Sequence, residues 1–228
     1  MITLRRSHER GQGQFDWLNT KHSFSFANYY DPRYMGVSAL RVINDDWVKP
    51  GTGFETHPHQ DMEIISYILE GSIEHQDTLN FHTTLKAGEV QVMSAGSGIL
   101  HSEFNPSDSQ ALNFLQIWIE PNKKGVTPRY AQKDYSEAKG ITLIVSSDGR
   151  NGSLPIHQQA SLYKISLVSQ ATTFTTFKER TYYLHIARGA LDVNGIRLEA
   201  GDGATIDHEP ILNIEALDQA EGLLFELP

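Results

Sequence analysis

Tyr67-Ile68-Leu69-Glu70-Gly71-Ser72-Ile73-Glu74, followed by Leu85-Lys86-Ala87-Gly88-Glu89, has an echo in the second half of the chain. There the runs are His185-Ile186-Ala187-Arg188-Gly189-Ala190-Leu191-Asp192 and Leu198-Glu199-Ala200-Gly201-Asp202. Each half reads as strand, glycine turn, strand, then a second turn of the form Leu-x-Ala-Gly-acid. Around these runs, alternation dominates over helical periodicity. The segments 63–69, 89–93, 112–119, 162–168 and 182–186 are short, rich in β-branched or aromatic residues, and bounded by Gly, Asn, Asp or Pro. Short strands with this punctuation predict an all-β sandwich or barrel. A repeat of the whole pattern predicts two of them.

The polar stretch 120–140 carries Pro121 and Pro128 and reads as the connection between halves, with a short helix expected over 130–139. The expected organisation is an amino-terminal barrel over 1–125, a connection over 126–140 and a carboxy-terminal barrel over 141–228. At 228 residues and a formal net charge of −9, the chain is long enough for a substantial core. Its basic residues gather no further than Arg5-Arg6 and Lys123-Lys124, which argues against tracking nucleic-acid phosphates. Cysteine is absent, which excludes disulfides, thiolate metal sites and a cysteine nucleophile. No apolar run approaches the roughly 20 residues that span a bilayer, and the charged amino terminus lacks the apolar region of a signal peptide. A cytoplasmic protein without membrane contact is expected.

Two further stretches carry chemistry: His57-Pro58-His59 and His101-Ser102-Glu103. Each places two potential metal ligands at i and i+2, on one face of an extended strand. Three imidazoles and a carboxylate suit a divalent transition metal, and four protein ligands leave positions for water or substrate. Pro58 drives His57 toward extended geometry. When Gly71 is matched to Gly189 and Gly88 to Gly201, the four positions fall opposite Thr175, Phe177, Ile214 and Ala216. None of those can chelate, so one metal, in the first barrel only, is expected.

These residues resemble the cupin pattern. Its first motif, G-x5-H-x-H-x3-4-E-x6-G, is met by Gly51, His57, His59, Glu63 and Gly71, with one extra residue before the last glycine. Its second, G-x5-P-x-G-x2-H-x3-N, is met loosely by Gly88, Gly96, His101 and Asn105, with Ser94 in place of the proline. Residues 90–103, together with Ser23-Phe24-Ser25-Phe26, Leu40-Arg41-Val42-Ile43-Asn44-Asp45-Asp46 and His57-Pro58-His59, resemble the pirin branch. The likeness implies a bicupin: two jelly-roll β-barrels. It also implies a quercetin 2,3-dioxygenase activity, in which O2 opens the ring of a small planar flavonol and carbon monoxide leaves. Iron(II) is the metal that the resemblance suggests, and manganese, cobalt, nickel or copper would satisfy the same ligands. The alternative that it carries is a non-enzymatic iron-binding regulatory protein working through protein partners.

Generic cupins take their carboxylate ligand from the position of Glu63. The pirin-like pattern takes it from Glu103, which is the assignment expected here, with a second role for Glu103 as the base that removes the substrate's hydroxyl proton. His75 and Asp77 mimic a third ligand pair but are expected to cap a hairpin or face solvent. His82, His157, His185 and His208 lack a partner at strand spacing and are read as ordinary polar or packing residues. Phe24, Phe26 and Trp118 are read as core, with an aromatic face near a metal as the use that would suit a planar substrate.

Overall fold

The computed structural model describes residues 1–228, nearly all of them in strands and the turns between them. The only helical pieces are two single 3-10 turns, Ser7–Glu9 and Arg150–Gly152, so no helix is long and apolar enough to cross a membrane. The fold is all-β and forms two jelly-roll barrels. Every predicted strand is present, as Glu63–Glu70, Glu89–Ser94, Leu112–Ile119, Ser161–Thr175 and Thr181–Arg188.

One unit comprises Gly11–Glu137 with Leu154–Gln158. Its larger sheet has seven strands in the order Arg129–Asp134, Glu89–Ser94, Glu63–Glu70, Leu112–Ile119, Leu40–Val48, Leu18–His22 and Gly11–Gln14. Facing it is a four-stranded sheet in the order Gly53–His59, Ile99–Phe104, Ser72–Asp77 and His82–Lys86. Apolar side chains fill part of the space between them: Ile68, Ile73, Leu85, Leu112 and Phe114 form one cluster, and Ile64, Met93, Ala95 and Ile99 another.

The second unit comprises Met1–Arg10, Ala138–Ser153 and Gln159–Pro228. Its longest strands, Ser161–Thr175 and Ile211–Leu227, pair along their whole length across a bulge between Val168 and Gln170. The carboxy-terminal half of Ile211–Leu227 pairs with Thr181–Arg188 and the amino-terminal half with Ala190–Val193, so one bent strand serves two parts of the barrel. Ile165, Leu184, Leu191, Leu198, Ile214 and Leu224 fill its interior.

The units depart from the expected boundaries at residues 1–10, 126–137 and 154–158. Ile2–Arg5 pairs with Gly203–Ile206, and Arg6 bridges Asp202 at 2.7 Å, so residues 1–10 complete the carboxy-terminal barrel. The expected helix over 130–139 is absent: Arg129–Asp134 is an edge strand paired with Glu89–Ser94. Its polar composition suits an edge half exposed to solvent. The ladder hydrogen bonds and the stacking of Tyr130 on His75 outweigh the weak local helical preference.

The repeat has a shared physical basis. In both second turns the acid accepts the backbone N–H three residues upstream: Glu89 from Lys86 at 2.6 Å, and Asp202 from Glu199 at 3.1 Å. In both first turns the glycine has a left-handed φ, +73° at Gly71 and +67° at Gly189. A Cβ on Gly71 would stand 2.6 Å from the Ala111 carbonyl oxygen, and one on Gly189 would collide with that of Gln219. Gly71→Ala and Gly189→Ala should therefore each destabilise the protein by on the order of 2–3 kcal/mol, read as a lowered transition in calorimetry. Asparagine tolerates the left-handed region but keeps the collision, so Gly71→Asn should not restore stability. If it does, backbone strain alone accounts for the glycine.

Candidate metal centre

Strands Gly53–His59 and Ile99–Phe104 run antiparallel with His57 opposite His101. A bulge between His101 and Glu103 inserts one extra residue into the partner strand, so that Glu103 pairs with Phe54. Phe54 and His57 therefore both face inward although they are three positions apart. His59, two residues beyond His57, shares its face. The register thus delivers His57, His59 and His101 to one point. Their ring centroids form a near-equilateral triangle with sides of 4.5, 4.8 and 4.9 Å.

Hydrogen bonds orient the rings. His57 donates Nδ1–H to the Glu55 carbonyl at 2.7 Å, which leaves its lone pair on Nε2. That Nε2 lies 3.0 Å from His101 Nε2, while the buried Nε2 of His59 has no hydrogen-bond partner. Burial and the neighbouring imidazoles push His59 down to about 4 and His101 down to about 3, so both are neutral at physiological pH. Neutral imidazole nitrogens pointed at one another repel unless a cation sits between them. Two nitrogens each about 2.1 Å from one ion and at right angles to each other are about 3.0 Å apart. The spacing and the orphaned nitrogen fit a divalent metal.

Glu103 joins the cluster from the same strand as His101. The potential ligand atoms of His75, His101 and Glu103 lie within 4.8 Å of one another, as do those of His57, His59 and His101. Glu103 is buried, and the facing sheet holds it. Ser66 Oγ and Gln91 Nε2 donate to its Oε1 at 3.0 and 2.8 Å, and Gln116 Nε2 donates to its Oε2 at 3.0 Å. Three of roughly four acceptor sites on the carboxylate are thereby filled, which leaves one on Oε2.

Glu63 is placed differently. Its neighbour Ser66 faces Glu103, so alternation turns Glu63 to the opposite face of the sheet, where its carboxylate accepts from Ser94 Oγ at 2.6 Å. Glu63 shares sequence parity with His57 and His59, but the chain turns at Asp61, whose φ is +48°, and parity does not carry through a turn.

His75 and Asp77 depart from the expectation of solvent exposure: both side chains are fully buried. Asp77 does cap its hairpin, with Oδ1 accepting N–H from Leu79 and Phe81 at 2.8 and 3.1 Å. Its Oδ2 lies 2.9 Å from His75 Nε2, and His75 Nδ1 lies 3.5 Å from His101 Nδ1. His82 is at the surface beside Glu74.

His57 and His59 open on a cavity of about 1120 Å³. Phe15, Trp17, Phe26, Tyr29, Phe54 and Trp118 give it an aromatic lining, with Trp118 edge-on to both His59 and Phe26. Phe24 is core as expected, whereas Phe26 is a wall of the cavity. One wall is polar, and the sequence reading missed it: Thr20, His22, Asn44, Asp46 and Gln116. Asn44 Oδ1 accepts from His22 Nδ1–H at 2.7 Å, and Asp46 Oδ1 is buried without a partner. Burial raises the Asp46 carboxyl to about 7. The available signal was Val42-x-Asn44-x-Asp46, polar residues at the buried parity of an otherwise apolar strand.

A family model described as Pirin matches residues 3–119, and one described as Quercetinase C-terminal cupin domain matches residues 143–227. The chain belongs to the pirin family. It is 47% identical over 229 residues to a quercetin 2,3-dioxygenase of Escherichia coli (strain K12), covering 100% of this chain and 99% of that protein. It is 43% identical over 231 residues to a pirin-like protein of Caulobacter vibrioides, covering 99% of each. The crystal structure of the bacterial pirin YhhW from Escherichia coli in complex with nickel(II) superposes with a TM-score of 0.96. It is 47% identical, and the match covers 100% of this chain and 99% of that one.

The titrating groups give opposite pH dependences for the metal-free protein. For His59 and His101 the folded values lie below the unfolded value near 6.5. Their contribution is therefore complete above about pH 6.5 and is lost as pH falls toward 4 and 3. For Asp46 the folded value lies above the unfolded one, so its contribution opposes folding as pH rises from about 4 and reaches its full size above about 7. Asp46→Asn should stabilise the metal-free protein by about 1–3 kcal/mol at pH 7.5 and have little effect at pH 4. Urea midpoints at the two pH values measure this; equal effects at both would show that Asp46 is ionised throughout.

Proposed function

We propose that this pirin is a metal-dependent dioxygenase that opens the ring of a flavonol such as quercetin with O2. His57, His59, His101 and Glu103 are the proposed ligands of one divalent transition metal, with iron(II) the proposed native ion. One observation carries the reading: imidazole nitrogens converging at 3.0 Å beside an aromatic cavity with a polar wall. The curated relatives named quercetin 2,3-dioxygenase and the nickel(II) complex of a 47% identical pirin support it.

When bound, the metal supplies a Lewis acid that takes an oxygen donor of the substrate and lowers the pKa of its hydroxyl. The protein's own residues then hold, orient and take the proton. The aromatic lining accepts the faces of a planar ring system and keeps water away from it, as apolar pockets with a few polar groups do. The one acceptor site still open on Glu103 Oε2 would hold the metal in the resting site, and Glu103 would take the hydroxyl proton there on giving up that contact. Ser66 and Gln91 hold Oε1 in place meanwhile, so the carboxylate keeps its position whichever protonation state it has.

Parent protein loaded with iron(II) should consume O2 when a flavonol is added, with loss of the flavonol's visible absorbance. His59→Ala should lose the metal while keeping the β signal in circular dichroism, because the barrel core is apolar and independent of the site. Glu103→Gln should retain part of its metal affinity through three imidazoles and lose turnover by about 10²–10⁴-fold at metal saturation. Glu63→Gln, on the other face of the sheet, should stay within several-fold of the parent. A dead Glu63 variant beside an active Glu103 variant would reverse the carboxylate assignment. Absence of O2 uptake with any flavonol by the metal-loaded parent would overturn the dioxygenase reading and favour the regulatory one.

A further inference from the structure

We propose that Asp77 and His75 form a buried relay that sets the tautomer and aim of His101, making both of them positioning residues of the centre. This deepens the metal-site reading and rests on His101 being a ligand. His75 and Asp77 alternate along strand Ser72–Asp77, on the same inward face, and the register sets Asp77 opposite His101 and His75 opposite Glu103. Both side chains have no solvent exposure, so water does not compete for their hydrogen bonds.

Every proton in the chain follows from one end. Asp77 Oδ1 is committed to the N–H groups of Leu79 and Phe81, which fixes the carboxylate with Oδ2 turned to His75 Nε2 at 2.9 Å. A carboxylate only accepts, so His75 carries its proton on Nε2. With that as its one ring proton, His75 has its lone pair on Nδ1, which faces His101 Nδ1 at 3.5 Å. His101 must be the donor in that contact, with its proton on Nδ1, and its remaining lone pair is on Nε2. That is the nitrogen 3.0 Å from His57 Nε2. The Glu55 carbonyl does the same for His57 by accepting its Nδ1–H, so two ligands have their tautomers set by unrelated acceptors. Tyr130 stacks on the His75 ring at 4.6 Å and 29° and holds its plane.

The pinned Oδ1 makes a sharp test possible. Asp77→Asn keeps an oxygen for the two backbone N–H groups and so places its NH2 toward His75 Nε2. His75 must then accept there and carry its proton on Nδ1, head to head with the Nδ1–H of His101. One of the two contacts has to break, and the His101 ring tilts away. At His75, two substitutions separate packing from hydrogen bonding. His75→Phe keeps the ring that stacks on Tyr130 and removes the acceptor. His75→Asn loses the ring and keeps an oxygen near the place of Nδ1.

Cobalt(II) binding to the full-length protein, by calorimetry and by the ion's visible absorption, tests the relay without reference to turnover. The metal-site reading requires one cobalt(II) per parent chain and none in His101→Ala; failure of that pair sinks the site itself. With the site intact, the relay predicts a loss of affinity of about 10–100-fold in Asp77→Asn and in His75→Phe, with an altered spectrum. His75→Asn should bind more tightly than His75→Phe. Parent-like affinity in Asp77→Asn and His75→Phe would overturn the relay, as would the reverse order of the two His75 variants, which would mark packing as the cause. Complete loss of cobalt(II) in every His75 variant would also overturn it, since His75 would then be a ligand. Thermal midpoints recorded alongside separate these outcomes from a failure to fold.

Discussion

A carboxylate buried between two sheets is the constraint on which the amino-terminal barrel depends. An unpaired carboxylate in an apolar interior costs far more than a domain can spare, so Glu103 needs donors in fixed positions. The seven-stranded sheet provides them in one row. Ser66 is directly opposite Gln116 on one side and Gln91 on the other, and all three donate to Glu103. The same row extends through Asn44 to His22 at one end and to Gln132 at the other. A polar line thus crosses six strands where apolar side chains would ordinarily meet. Removing one donor leaves a buried charge short of a partner, which explains why so many amides occupy core positions.

The two sheets divide the labour. The four-stranded sheet carries the imidazoles, Glu103 and the Asp77–His75 pair, all on its inner face. The seven-stranded sheet carries the donors for Glu103 and the polar wall of the cavity. Rigid strands hold both sets, which favours the tight positioning that a metal centre needs. In the polar wall, the unpartnered Oδ1 of Asp46 and its raised carboxyl make it a strained element. Such unpaired buried groups concentrate at functional sites.

The carboxy-terminal barrel shows what the same scaffold does without a centre. Its turns repeat those of the first barrel down to the acid that accepts an N–H three residues upstream. With Gly71 matched to Gly189, Val193 stands where the first barrel has His75, and its partner Ile214 stands where that barrel has Glu103, so Leu212 takes the place of His101; both are buried in the apolar cluster. Leu212 pairs with Phe174, so an aromatic ring packed on that cluster stands where the first barrel has His57, one position away from the Thr175 reached by counting along the sequence. An apolar interior needs no cross-sheet donors, and none of the polar row is repeated there.

The amino-acid sequence by itself determined the strands, the glycine turns, the doubling of the barrel and the confinement of the candidate ligand pairs to one half. These are local or periodic properties: alternation marks a half-buried strand, and a glycine at positive φ marks a turn, whatever surrounds them. The pairing of His57 with His101, the burial of His75 and Asp77, and the face that Glu63 occupies were decided by the tertiary structure. So was the conversion of an expected helix at Tyr130 into an edge strand. Each depends on register between distant strands, and a register is set by which sheet a strand joins rather than by its own residues. His75-x-Asp77 has the same local pattern as His57-x-His59, yet one pair converges with His101 on the proposed ligand cluster and the other backs it. Only the order Gly53–His59, Ile99–Phe104, Ser72–Asp77 in the sheet separates them, because it puts His101 between the two pairs.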